Sequence, residues 1–87
     1  MHHRFTLVGD ASPQLPLRVL NLFAQQELLP ASAVMRRRGD DCEMVVECDG
    51  LDAHRASIVL AKMEAMVLVR SSSIEAVETQ ANRQGKE

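Results

Sequence analysis

Tryptophan and tyrosine are absent from this 87-residue chain, and aromatics reach only 2%, as Phe5 and Phe23. Proteins that hold single-stranded nucleic acid stack bases on exposed rings, so that class is excluded. Net positive charge is missing too: 10 basic against 12 acidic residues leave −2, with no general attraction for phosphate backbones. No stretch of about 18 apolar residues could span a bilayer, and the first residues lack a charged-then-apolar signal pattern. The chain therefore reads as soluble and cytoplasmic, with no nucleic acid and no membrane among its partners.

Cysteine is scarce. Cys42 and Cys48 lie in an alternating apolar and acidic run that reads as a strand. Six strand steps separate their Cα atoms by about 20 Å on one face. A disulfide needs roughly 7 Å or less, and a shared metal is no better served. Both cysteines read as small buried hydrophobes. His2 and His3 read as a frayed end, so no metal and no cofactor is expected. Glycine is sparse as well: Gly9, Gly39, Gly50 and Gly85 stand apart, so no glycine-rich loop cradles a phosphate.

What is present is a core. Apolar residues make up 46%, enough for one small domain, although a chain this short buries only about 60–65% of its unfolded surface. From Arg4 to Gly9 the residues alternate, Phe5 and Leu7 against Arg4, Thr6 and Val8, which predicts a half-buried strand. Ser12 and Pro13 start a helix as N-cap and first helical residue. Pro16 must fall within the first turn. Leu15, Val19, Leu22 and Phe23 carry the helix to about Glu27, and Pro30 prevents continuation.

Residues 31–38 and 41–49 form a hairpin around Gly39-Asp40, whose leading glycine suits a type II′ turn. This register places Arg38 against Asp41, Arg36 against Glu43, Val34 against Val45 and Ser32 against Glu47. Met35 faces Met44 and Ala33 faces Val46 on the other side. Asp52 caps a second helix to about Glu64, with Ala56, Val59, Leu60 and Met63 inward. A fourth strand follows over Met66 to Arg70. Ser72 to Glu75 resemble a capping box, with Ile74, Val77 and Ala81 on one helical stripe. Residues 1–74 thus read as a single domain and 75–87 as a tail able to hold a short helix.

The order strand, helix, strand, strand, helix, strand gives an α+β, ferredoxin-like βαββαβ sandwich. Its four-stranded antiparallel sheet, in the order fourth, first, third, second, has two helices on one face. Leu68, Val8, Val45 and Val34 would then form an apolar row across the other face. Arg36, Glu43, Glu47, Arg70 and Ser32 flank that row, the pattern of an association surface. A second route to self-association is the edge strand Ala31 to Arg38, pairing with its own copy.

Catalysis finds no support: no Ser/His/Asp grouping is suggested, and His54 stands alone on a helix. Small acyl-phosphate hydrolases share this fold, but need a glycine-containing first loop leading to an arginine, which residues 10–14 do not supply. The run Arg36-Arg37-Arg38 suggests anion binding, yet alternation sends Arg37 to one face and its neighbours to the other. The loop Asp10, Ala11, Ser12, Pro13, Gln14, Leu15 is the candidate small-molecule site. It joins a strand end to a helix N-terminus, where free N–H groups could hold a carboxylate and Asp10 an ammonium.

The stretch Leu7-Val8-Gly9-Asp10-Ala11-Ser12-Pro13-Gln14-Leu15, with Arg18-Val19-Leu20 and Leu22-Phe23, resembles the strand–turn–Pro-Gly–helix signature of ACT domains. The Arg-Val-x-x-Leu-Phe portion is most similar to the small regulatory subunits of acetolactate synthase (acetohydroxyacid synthase). The run from Lys62 to Val69 also resembles their second-helix end and fourth strand, so the likeness spans Arg4 to Ile74. It implies a non-catalytic regulatory subunit forming a homodimer or higher oligomer. It also implies a branched-chain amino-acid effector, usually valine, at Asp10 to Leu15, and an acetolactate synthase catalytic subunit as partner. Two positions depart from the family pattern: Pro13-Gln14 replaces Pro-Gly, and Glu27 replaces the glycine that ends the first helix. The alternative is a homo-oligomeric interaction domain with no small-molecule ligand.

Overall fold

A computed structural model of the chain describes residues 2–77. Its elements are β1 (His2–Asp10), α1 (Gln14–Gln25), β2 (Ser32–Arg38), β3 (Asp41–Cys48), α2 (Ala53–Glu64) and β4 (Val69–Val77). The strands form one antiparallel sheet in the order β2-β3-β1-β4, as the sequence predicts. Phe5 and Leu7 of β1 and Met44 and Val46 of β3 point inward, against Leu15, Val19 and Phe23 of α1 and Val59 and Met63 of α2. At the centre the Phe5 and Phe23 rings meet edge to face, with centroids 5.4 Å apart. Cys42 and Cys48 are buried free thiols in this core, and burial pushes the Cys48 thiol pKa up, so the thiolate is disfavoured.

The hairpin forms in the expected register, from Arg38 opposite Asp41 to Ser32 opposite Glu47. Gly39 takes a φ of 60°, the left-handed conformation the first position of a II′ turn requires. Asp52 caps α2 as expected, its carboxylate accepting the Arg55 N–H at 2.7 Å. The start of α1 lies one residue later than expected: Pro13 is the cap residue, while Ser12 Oγ accepts the Gln14 N–H at 3.2 Å. Pro16 does fall in the first turn.

The far end of α1 closes in a Schellman arrangement. Leu28 N–H donates to Phe23 O at 2.9 Å and Glu27 N–H to Ala24 O at 2.9 Å. Closing this pattern forces Glu27 to a φ of 59°, a conformation costly for any residue with a Cβ. Glu27→Gly should therefore stabilise the protein by about 1 kcal/mol. Urea unfolding checks this; an unchanged or lower midpoint would contradict it.

Three sequence expectations give way. The fourth strand is not Met66 to Arg70, and no helix starts at Ser72: Val69 to Val77 pair along β1, with Ile74 opposite Phe5. A strand sends Ile74 and Val77 to opposite faces, which removes the helical stripe; Ala81 lies outside the described residues. The free edge of β1 must find hydrogen-bond partners, and that requirement outweighs the weak local preference of Ser71-Ser72-Ser73. Residues 75–77 thus belong to the sheet rather than to a tail.

Leu68 correspondingly precedes β4 and packs against the core, so the outward row Leu68, Val8, Val45, Val34 does not form. Val34 still faces Val45, but Val45 faces Thr6, and Val8 lies between Glu43 and Ser71. The ion pairs shift as well, because Arg38 reaches Glu43 at 3.8 Å and Asp41 turns to Arg70.

His2 and His3 are not frayed. His3 is buried on the core side of β1, its Nδ1 without a hydrogen-bond partner in the protein. His2 lies on the outer face, where Nε2 is 2.7 Å from Glu47 Oε1 and Nδ1 meets the Asp49 carboxylate. Arg4 joins the network, 3.3 Å from Glu47 and 3.1 Å from Glu75. The hydrogen bond to Glu47, then that to Asp49, raises the His2 pKa above its ordinary 6.5. The His2 contact in turn lowers Glu47 below its ordinary 4.5.

A raised histidine pKa adds stability that is full below about 6.5 and lost as pH rises through the folded value. The lowered Glu47 pKa adds stability present above about 4.5 and lost on acidification. Unfolding free energy should accordingly decline as pH rises above about 6.5 and through the raised His2 value, and Glu47→Gln should remove most of that decline. NMR titration of His2 gives the parallel reading, and a His2 pKa at or below its ordinary value would contradict the network.

Candidate functional site

Between β1 and α1 the chain must turn within a few residues, and Gly9 makes the turn feasible. A Cβ at Gly9 would stand 2.3 Å from Leu68 O, so β1 and the segment before β4 approach backbone to backbone. The close approach is fixed by Asp10 N–H donating to Leu68 O at 3.0 Å. Ala11 N–H then bonds Asp40 O at 3.0 Å, which ties the loop to the hairpin turn. Ser12 N–H bonds Asp10 O at 2.8 Å and Leu15 N–H bonds Ser12 O at 3.1 Å. Every N–H from Asp10 to Leu15 is thus engaged, and Pro13 and Pro16 have none to offer. The free amide donors expected of this helix start are absent.

Asp10 is engaged as well. Its carboxylate lies 3.4 Å from the Arg70 guanidinium, which also contacts Asp41 and donates to Gly9 O at 3.1 Å. Arg70 thereby spans the start of the loop, and the bonds to Asp41, then the charges around it, raise its pKa further. Its role is to hold β1, β3 and β4 together at the loop.

Beside the loop is a recess of about 180 Å³. Ala11, Ser12 and Pro13 form one wall and Pro16 its helical side. The opposite wall comes from the hairpin: Met35, Arg37 and Cys42. It exists because β2 extends beyond the helix layer, which leaves the inner face of that strand exposed. Arg37 Nε donates to Gly39 O at 3.1 Å, and among the described residues no carboxylate pairs with its guanidinium.

Of the six loop residues singled out in the sequence, the structure brings Ala11, Ser12 and Pro13 together at the recess. Asp10 and Gln14 are exposed outside it, and Leu15 is buried in the core beneath. Sequence reasoning missed Met35, Arg37 and Cys42, about 25 residues away along the chain. The signal was there in the alternation that sends Arg37 to the face opposite Arg36 and Arg38.

The ACT-like domain family matches residues 1–81 of this chain. The chain belongs to that family. The match runs past residue 74, in keeping with a β4 that reaches Val77. Comparison with curated proteins finds no match. Among solved structures, the ACT domain of a GTP pyrophosphokinase from Chlorobium tepidum has a TM-score of 0.68 at 8% identity, covering 86% of this chain and 97% of that one. The ligand-free regulatory subunit of aspartate kinase from Thermus thermophilus has a TM-score of 0.68 at 16% identity, covering 85% and 50%. A homoserine dehydrogenase from Thiobacillus denitrificans has a TM-score of 0.71 at 12% identity, covering 84% and 16%.

At such identities these likenesses show the fold. ACT domains are regulatory, non-catalytic modules that commonly oligomerise and bind amino-acid effectors. In this ACT-like chain the recess beside the β1–α1 loop is lined by both the loop and the edge strand β2.

Proposed function

We propose that this ACT-like chain is a regulatory subunit or stand-alone module without catalysis of its own, which self-associates and adjusts the activity of a catalytic partner. The observation that carries this reading is the recess at the β1–α1 loop, one wall of which comes from β2, the edge strand of the sheet among the described residues. A ligand there touches the residues a second copy would meet. The likeness in Arg18-Val19 and Leu22-Phe23 makes acetolactate synthase the partner of choice, and a branched-chain amino acid, valine first, the effector class. A cytoplasmic location accords with such a partner; no helix of the described residues is long and apolar enough to cross a membrane.

The surface supports association through β2 rather than through the outer sheet face. Val34 and Met35 of β2 are 56% and 52% exposed, and Leu17 and Leu20 of α1 are 63% and 41% exposed. Pro16 shares the recess with Met35, and Leu20 lies one helical turn further along the same side of α1. The outer face instead carries the His2, Arg4, Glu47 and Glu75 network. The proposed interface therefore keeps Val34 and moves away from Val8, Val45 and Leu68 to the β2 edge.

A second reading, a homo-oligomeric interaction domain with no small-molecule ligand, is favoured by the fully engaged loop amides. Co-purification decides between a partnered regulator and a module that binds only itself. A tagged acetolactate synthase catalytic subunit should retain this chain, and the chain alone should show no turnover. Retention of nothing but further copies of itself would favour the second reading.

A further inference from the structure

We infer that the recess takes a short aliphatic carboxylate that lacks an α-ammonium group, a 2-oxo acid rather than the amino acid of the same skeleton. This rests on reading the recess as the effector site, and it replaces the valine that the resemblance suggests with the oxo acid of the same branched skeleton. Its loop backbone has no anion donors left, because the amides of Asp10, Ala11, Ser12, Gln14 and Leu15 are all bonded and Pro13 and Pro16 lack one. The charged group placed to hold the carboxylate is Arg37, among the described residues the one cation lining the recess, whose terminal nitrogens face no carboxylate there. A guanidinium presents paired donors in the geometry a carboxylate accepts.

The other half of an amino acid has no counterpart here. Among the described residues no acidic side chain lines the recess, and Asp10, the residue the sequence offers for an ammonium, lies outside it against Arg70. An ammonium placed there would be partly desolvated without a counter-charge, and close to the Arg37 guanidinium it would be repelled. A carbonyl oxygen at the same carbon carries no such penalty. Pro13, Pro16, Met35 and Cys42 supply apolar walls for a short hydrocarbon body, and a space of about 180 Å³ suits a ligand of few heavy atoms.

The test compares valine with 3-methyl-2-oxobutanoate, which differ only at the second carbon. Each is titrated by NMR into the full chain, native and as Arg37→Gln, Arg37→Lys and Arg36→Gln. The oxo acid should bind the native chain at least tenfold more tightly than valine, shifting the signals of Ala11, Met35 and Cys42. Arg37→Gln should weaken it at least tenfold, Arg37→Lys should keep the preference, and Arg36→Gln should change nothing. Equal or tighter valine binding, or an unaffected Arg37→Gln, overturns the inference. If neither compound binds while the chain still regulates its partner, the inference fails and the regulatory reading stands. If the oxo acid binds through Arg37 and no partner responds, the regulatory reading fails alone.

Discussion

Gly9→Ala should cost about 4 kcal/mol, a large share of what a domain of this size has to lose. The added methyl would fall 2.3 Å from Leu68 O and 3.1 Å from a Leu15 methyl. The leucine methyl can rotate away, but the carbonyl cannot. It accepts the Asp10 N–H at 3.0 Å and lies at the bulge where the β1–β4 register shifts between Val8 and Gly9. Relief requires β1 and the start of β4 to separate, which also pulls Arg70 from Gly9 O. The urea midpoint should fall sharply with little change in slope, and the recess signals of Ala11 and Ser12 should broaden or move. A loss below about 1 kcal/mol would mean that this close approach is not present in solution.

Ala33→Pro should convert the self-associated protein to a monomer while leaving it folded. The residues that close a two-residue turn, Arg38 and Asp41, exchange hydrogen bonds, and the pairs then alternate along the hairpin. Ala33 falls in a non-bonded pair with Val46, so its N–H faces the free edge of β2. Proline there removes an edge donor and spares the ladder to β3. Sedimentation should give a dimer or larger species for the native chain and a monomer for the variant, with similar unfolding midpoints. The double variant Val8→Asp, Val45→Asp should keep its assembly. If that double variant dissociates and Ala33→Pro does not, the outer sheet face is the interface.

Local rules carry most of this fold. The hairpin register is legible because a leading glycine and an uninterrupted alternation agree, and α2 is legible because Asp52 precedes a clean apolar stripe. β4 is not, since three serines weaken its signal and Ser72 to Glu75 imitate a helix start; only pairing with the distant β1 decides it. His2 looks like a loose terminus because Glu47 and Asp49, which hold it, lie some 45 residues away. The site is half legible for the same reason. A strand-to-helix loop marks itself, but the loss of its amides depends on Asp40 and Leu68, and its one cation comes from a strand. Pro16 is the exception: its position in the first turn already removes one donor from the anion cradle.

As proposed, this chain has no turnover of its own and works by altering a catalytic partner. The most direct measurement is the steady-state rate of an acetolactate synthase catalytic subunit, alone and with increasing amounts of the native chain or Ala33→Pro. The native chain should change the rate or its feedback inhibition in a saturable way, and the monomeric variant should lose most of that effect. Rates and inhibition that stay the same at saturating native chain would contradict the account.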